Sequence, residues 1–320
     1  MSHEEGVTVP VSTLPELNIT SNAPIPTWFG LGGPAKRLAK PRTIEELRAC
    51  VEMDAKAKIL GDGANLLVAD EGMSDLVISL AEGELGTFEI GPLDQRGYAD
   101  VRAGAGVHLF KLINATVAAG LSGLENLAGI PASVGGAVMM NAGGKYGSTG
   151  DYIKSVHAMD RSGAMHEIPR TKIEFVYRHC SLAAKNVIVT SVTFRLKRAA
   201  DPAALKAKFK EVTEYKKTTQ PLNANSAGCC FKNPTLMDSV KDIGTTGTRV
   251  SAGMLIDRAG CKGLSVGGAT VSDQHANFIV ATPGCTAANV IEAMRQVRTK
   301  VHARFGVMLE PEVIIWGATL

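Results

Sequence analysis

Aromatic residues are scarce in this chain: two Trp, five Tyr and nine Phe make up 5% of 320 residues, too few ring faces to stack successive nucleic-acid bases. Basic charge is scattered. No run of basic residues exceeds a pair such as Lys216–Lys217, and the formal net charge is only +3, so no stripe tracks a phosphate backbone. No C-x-x-C spacing joins the six cysteines (50, 180, 229, 230, 261, 285), and none of the seven histidines stands at metal-ligand spacing; no metal site is expected. Long apolar runs are missing too. The uncharged stretch Asn126–Gly144 has an apolar part, Leu127–Met140, shorter than the roughly 20 residues of a membrane span. Pro131, Gly135 and Gly136 interrupt it, and it is expected to form buried loop and strand. The start, Met1-Ser2-His3-Glu4-Glu5, lacks the basic-then-apolar pattern of a signal peptide. These absences predict a soluble, cytoplasmic protein with reduced thiols, with neither nucleic acid nor membrane as partner, and no obligate protein partner is inferred.

Glycine, by contrast, is abundant at 34 residues, above the ordinary level of about 7%, and without a collagen-like period. It belongs where backbone turns sharply or approaches a ligand closely. At roughly 100–200 residues per domain the length suggests two or three domains. Residues 1–20 read as a loose leader. Thr43-x-x-Glu46 with Ile44, Leu47 and Val51 predicts a capped helix; strands are expected at Lys58–Leu60, Leu66–Val68 and Leu76–Leu80. A mostly β region follows, with strands at Tyr98–Ala103, Ser155–Met159 and Val187–Leu196 around one helix, Leu109–Ala119, stopped by Gly120. Asp201-Pro202 opens a helix reaching about Lys217. Helices at Ala252–Arg258 and from Thr286 to Arg304, with strands at Asn277–Val280 and Glu312–Trp316, close the chain. The order is α/β, mostly β, then α/β.

Five segments could carry chemistry. Gly61-Asp62-Gly63-Ala64-Asn65-Leu66 follows a strand without opening a helix and lacks the G-x-G-x-x-G spacing of a Rossmann turn. It suits either an anion nest of backbone N–H groups or a tight turn. Between Asn126 and Gly144 five glycines fall in a mostly apolar stretch, which suits either a planar cofactor against main chain or two closely packed sheets. Arg178, after Tyr177, is either a solvated charge or a clamp on a carboxylate. Ala227-Gly228-Cys229-Cys230-Phe231-Lys232-Asn233-Pro234 gathers two thiols, an amine and an amide. A thiol with an ordinary value near 8.5 stays mostly protonated at neutral pH and can give a proton. In Glu310-Pro311-Glu312-Val313-Ile314-Ile315-Trp316, a period of two puts Glu312 on one face with Ile314 and Trp316. An acid on an apolar face is a general-acid candidate, whereas Glu310 reads as a solvated strand-end charge. His275 reads as structural.

In order and spacing these segments resemble one family, the UDP-N-acetylenolpyruvoylglucosamine reductases (MurB), flavin enzymes of peptidoglycan precursor synthesis. The resemblance runs from Thr27-Trp28-Phe29-Gly30-Leu31-Gly32-Gly33 through Ala252–Asp257, Lys262-Gly263 and His275–Ile279 to Leu309–Val313. It implies an α+β, three-domain FAD-binding fold of the PCMH type, divided at 1–84, 85–200 and a C-terminal α/β substrate domain at 201–320. FAD is then held non-covalently, its diphosphate on Gly61, Asp62, Gly63, Ala64, Asn65 and Leu66. The rest of the flavin lies along Gly129, Ile130, Pro131, Ser133, Val134, Gly135, Gly136 and Asn141. NADPH is the implied hydride donor to FAD and a UDP-sugar the substrate, contacted by Tyr177, Lys232 and Asn233. The catalytic residues carried over are Arg178 and Glu312, which stabilise the enolate formed when hydride reaches the vinyl carbon, and Cys229 as proton donor. The chain resembles the shorter, second type, without the extra tyrosine-bearing loop. Three positions depart from the pattern: Cys229 stands where most members have serine, Ala64 where serine is common, and Ala132 where glycine is frequent. Two other functions fit the residues less well. Oxidases of the same superfamily often tether flavin through His or Cys beside the glycine loop, and Gly61–Leu67 has neither. A non-catalytic nucleotide-binding module would not need Arg178, Glu312 and a protonatable Cys229.

Overall fold

Thr43 begins helix α1 (Ile44–Met53) by accepting the Glu46 N–H on its side-chain oxygen at 3.1 Å. The return half of the expected capping box is shifted by one residue, since the Glu46 carboxylate takes the Arg42 N–H at 2.6 Å. The computed structural model describes residues 17–320, so most of the expected leader lies outside the described residues. Its last part is not loose, because Ile19–Ala23 is an edge strand paired antiparallel with Ala35–Ala39. That strand continues into a four-stranded sheet with Met73–Ser79 and Lys58–Leu60, the inner pairs parallel.

A six-stranded antiparallel sheet follows, in the order Met165–Pro169, Ile153–Met159, Ile188–Arg198, Tyr98–Gly104, Phe88–Leu93, with Leu121–Ser122 beside the end of the long strand. Helix α2 (Leu109–Ala118) packs on it through Leu109, Leu112, Ile113, Thr116 and Val117, the spacing of one helical face. Each buried aliphatic side chain contributes about 1.5–3 kcal/mol, so this face outweighs the missing side-chain cap at its start. Gly120, at φ +71°, ends it. The uncharged stretch 126–144 is not loop and strand throughout. It holds helix α3 (Val134–Met139), capped by Ser133 and buried through Val134, Gly135, Ala137 and Val138. The burial expected of the stretch is met by helix.

Asp201 caps α4 (Pro202–Thr219) by accepting the Ala203 N–H at 2.7 Å. Beyond it, α5 (Ala252–Arg258) and α6 (Ala287–Phe305) enclose a three-stranded antiparallel sheet, Ser265–Val266, Ala269–Val271 and Ile279–Ala281. A reciprocal box between Thr286 and Asn289 starts α6, and Gly306 at φ +69° stops it. The expected strand at 277–280 starts two residues later, because Asn277 turns its side chain into the neighbouring segment.

Two large cores result. One joins α1 to the six-stranded sheet, α2 and α3; the other lies under α5 and α6 and takes in Phe29 and Leu67 from the first part of the chain. The C-terminal part is tied back to that first part twice more. Ile314–Trp316 pairs parallel with Leu66–Val68, and the Asp70 carboxylate accepts the Ala287 and Ala288 N–H groups at 2.8 and 3.0 Å, at the positive end of α6. Among the described residues no helix is long and apolar enough to cross a membrane, and no group of three His, Cys, Asp or Glu could hold a metal ion. All six cysteines are free.

Candidate active site

Tyr177 and Arg178 are the two-residue turn of a hairpin, Phe175–Val176 with His179–Cys180. Asn141 holds this hairpin. Its buried amide donates to the Val176 carbonyl at 2.9 Å and accepts the Gly150 N–H at 3.0 Å. Arg178 sits at φ +53°, a conformation that costs a non-glycine residue about 1–3 kcal/mol. The strain is offset by what the side chain reaches: Nε donates to Glu312 Oε1 at 2.5 Å, Nη1 donates to the Gly143 carbonyl at 3.1 Å, and the guanidinium lies 5.1 Å from the Tyr177 ring centre. The fold therefore makes Arg178 a carboxylate clamp.

Glu312 arrives on an extended segment that lies alongside residues 229–233. Glu312 N–H donates to the Cys230 carbonyl at 2.8 Å and Lys232 N–H to Glu310 at 2.9 Å, while Cys230 N–H donates to Asn277 on the other side at 2.8 Å. Glu312 does not share an apolar strand face. It precedes the strand, and Ile314, two residues on, is 44% exposed. Its side chain, 11% exposed, is buried by Arg178, and its carbonyl receives the Asn65 amide at 3.0 Å. Burial raises the Glu312 carboxyl above the usual carboxylate range, and Arg178 only partly opposes this. The Cys229 thiol is pushed up to about 12, first by burial and then by the Glu312 charge, so it keeps its proton at neutral pH.

Lys216 completes the group, and the sequence alone does not single it out from its neighbour Lys217. It ends the stripe Leu205, Phe209, Val212, Lys216 on the buried side of α4, whereas Lys217 is exposed. A lysine continuing an apolar stripe is the signal that could have singled it out. Gly129 admits its stem, since a Cβ there would meet Lys216 Cγ at 2.9 Å. Burial lowers the Lys216 amine, and Cys229, Arg178 and Glu312 lie within its electrostatic reach.

The other predicted contacts divide. Tyr177 Oη accepts the Asn233 N–H at 3.2 Å, and its ring also faces the Arg249 guanidinium at 4.4 Å. Asn233 Oδ1 accepts the Ala252 N–H at 2.9 Å, fixing the start of α5. Lys232 points away to a surface pair with Glu310, 3.5 Å apart. Glu310 is the solvated charge the sequence suggested. His275 stacks edge-on against Phe278.

The two glycine-rich stretches meet across the cleft. A Cβ on Gly61 would stand 2.4 Å from Ser133 Oγ, and one on Gly63 (φ +65°) 2.1 Å from the Pro26 carbonyl. Gly135 lies against Ala105, and Gly129 against Lys216. At these positions glycine answers to the packing of protein on protein. The donor set differs. Among the described residues the N–H groups of Asp62, Gly63, Ala64 and Asn65 reach no acceptor, and Asp62 Oδ2 is buried without a hydrogen-bond partner. Unclaimed, neighbouring donors of this kind fit a diphosphate. A small cleft of about 40 Å³ is lined by Trp28, Pro131, Leu222, Gly228 and Phe278 among others.

Residues 220–316 match the family model "UDP-N-acetylenolpyruvoylglucosamine reductase, C-terminal domain" and residues 35–169 the model "FAD binding domain". The chain is 38% identical over 312 residues to the UDP-N-acetylenolpyruvoylglucosamine reductase of Moorella thermoacetica, covering 95% of both chains. It is 37% identical to that of Azorhizobium caulinodans, covering 94% of this chain and 93% of the relative. The crystal structure of the Thermus caldophilus UDP-N-acetylenolpyruvylglucosamine reductase (MurB) superposes with a TM-score of 0.76 at 37% identity, covering 94% of this chain and 99% of that one. Similarity of this extent, over both the glycine loop and the Arg178–Glu312 cleft, shows that the chain belongs to the UDP-N-acetylenolpyruvoylglucosamine reductase family of FAD-dependent oxidoreductases.

Proposed function

We propose that this chain reduces the enolpyruvyl group of UDP-N-acetylglucosamine enolpyruvate to give UDP-N-acetylmuramate, with NADPH as hydride source. The observation that carries this is the convergence of a clamped Arg178–Glu312 pair, a protonated thiol and a half-buried lysine in one cluster. FAD, when bound, relays the hydride from NADPH to the vinyl carbon of the substrate. The unclaimed donors at Asp62–Asn65 would hold its diphosphate, and Gly129–Gly136 would line its flanks.

Every other step belongs to side chains. Arg178 holds positive charge where enolate charge develops, and Glu312, raised by burial, can donate a hydrogen bond to the same oxygen. Cys229 gives its proton to the adjacent carbon. Its elevated value keeps it loaded, and the thiolate left behind sits near Arg178 and Lys216, both of which favour it. Lys216 supplies charge to the UDP end of the substrate. Tyr177 and Asn233, joined by a hydrogen bond, shape the wall beside Arg178. The three-part division at 84/85 and 200/201 is proposed with this function.

Two half-reactions followed by flavin absorbance test it. Cys229→Ala should leave reduction by NADPH within about threefold and slow reoxidation by the enolpyruvyl substrate by about 10²–10⁴, the worth of a general acid. Cys229→Ser should retain the second half-reaction. Equal losses in both halves would remove Cys229 as the proton donor.

A further inference from the structure

We propose that His108 is the counter-charge that allows the Asp62–Asn65 donor loop to accept an anion, by cancelling the carboxylate of Asp62. This deepens the proposed function and rests on its assignment of that loop to the FAD diphosphate. Among the described residues four consecutive N–H groups there reach no acceptor and attract an anion, yet Asp62 carries a negative charge among them. An uncompensated carboxylate beside a diphosphate opposes the ligand the loop is built for.

The structure supplies one compensation. The Asp62 side chain is 17% exposed and its Oδ2 is buried without a hydrogen-bond donor. Among the described residues the ionisable group facing it is His108, whose Nε2 lies 3.3 Å away. The contact misses hydrogen-bond geometry, so His108 acts on Asp62 by charge when it is protonated. Burial lifts the Asp62 carboxyl and His108 works against that rise. His108 is itself well placed. It immediately precedes α2, its neighbour Leu109 donates to Ala132 at 2.8 Å, and it bridges to Ser133 in the second glycine-rich stretch. A histidine absent from the loop in sequence is thus beside it in space.

The test is FAD affinity of the full-length apoprotein, read by quenching of flavin fluorescence, with a melting curve for each variant. His108→Ala should weaken FAD by about tenfold or more, within the range for directly coupled pairs. Adding Asp62→Asn to it should restore affinity to within about threefold, and His108→Lys, which keeps the charge, should stay close to the parent protein. Unchanged affinity in His108→Ala, or a loss that Asp62→Asn does not repair, overturns the inference, the second outcome making His108 a packing residue only. Ala64→Asp separates this from failure of the loop assignment. It should weaken FAD sharply. If it does so while His108→Ala has no effect, only the counter-charge is wrong; if Ala64→Asp leaves FAD binding intact, the loop does not hold the diphosphate and both ideas fall.

Discussion

The two glycine-rich stretches look alike in composition and differ in what their backbone does. Along 62–65 the N–H groups are unclaimed among the described residues, and the loop's other contacts tie it to the segment around Glu312: Asn65 donates to the Glu312 carbonyl and its own carbonyl accepts the Ile314 N–H at 3.0 Å. Along 130–136 four donors are consumed and those of Ala132 and Ser133 are not. Ile130 bonds to Leu127, Val134 to Val107 and Gly135 to Ala105, while Gly136 donates to Ser133 Oγ at 3.2 Å. The first stretch offers hydrogen bonds to an anion; the second offers shape, being a capped helix whose glycines let it sit close to Ala105 and let Lys216 pass. Glycine count reports close approach, and the state of the amides reports whether a ligand or the protein itself is approached.

Substitution can break this contrast, and the largest effect is expected at Gly63. Alanine there meets the Pro26 carbonyl at 2.1 Å at a positive φ. It should cost about 3 kcal/mol or more, a fall in Tm of roughly 5 °C or more, together with FAD binding; thermal melts alongside an FAD titration measure both. An unchanged melt would show that the loop is not held by Pro26. Gly129→Ala comes next. Because its Cβ would press on Lys216, the expected loss is about 1–3 kcal/mol, and steady-state kinetics should show KM for the UDP-sugar rising more than FAD affinity falls. The reverse order would return Gly129 to the cofactor. Smallest is Ser133→Ala, which removes the α3 cap for about 1 kcal/mol. Its FAD affinity should drop less than about tenfold, since 1.4 kcal/mol is tenfold; a larger drop would make the hydroxyl a direct ligand contact.

Much of the fold was legible because its signals are local. Thr43, Asp201 and Thr286 cap helices within three residues of themselves, and Gly120 and Gly306 end helices at the next turn. The site was legible only as separate residues. Arg178 and Glu312 are 134 positions apart, and no periodicity connects them. The Tyr177–Arg178 turn was hidden because it uses neither glycine nor asparagine; Asn141, far upstream, stabilises it. Glu312 was placed on an apolar face by alternation, a rule that holds inside a strand and fails just before one.

The sequence by itself determined the elements, the family and the residue types that carry chemistry, because caps, turns and motif spacing are written within a few neighbouring positions. Tertiary structure decided the rest: that Lys216 and not Lys217 enters the cleft, that Glu312 is clamped by Arg178, that Cys229 keeps its proton, and that His108 faces Asp62. Each of these depends on burial and on charges brought together from distant parts of the chain. Desolvation and Coulomb interaction act through space, and the folded chain alone sets those distances.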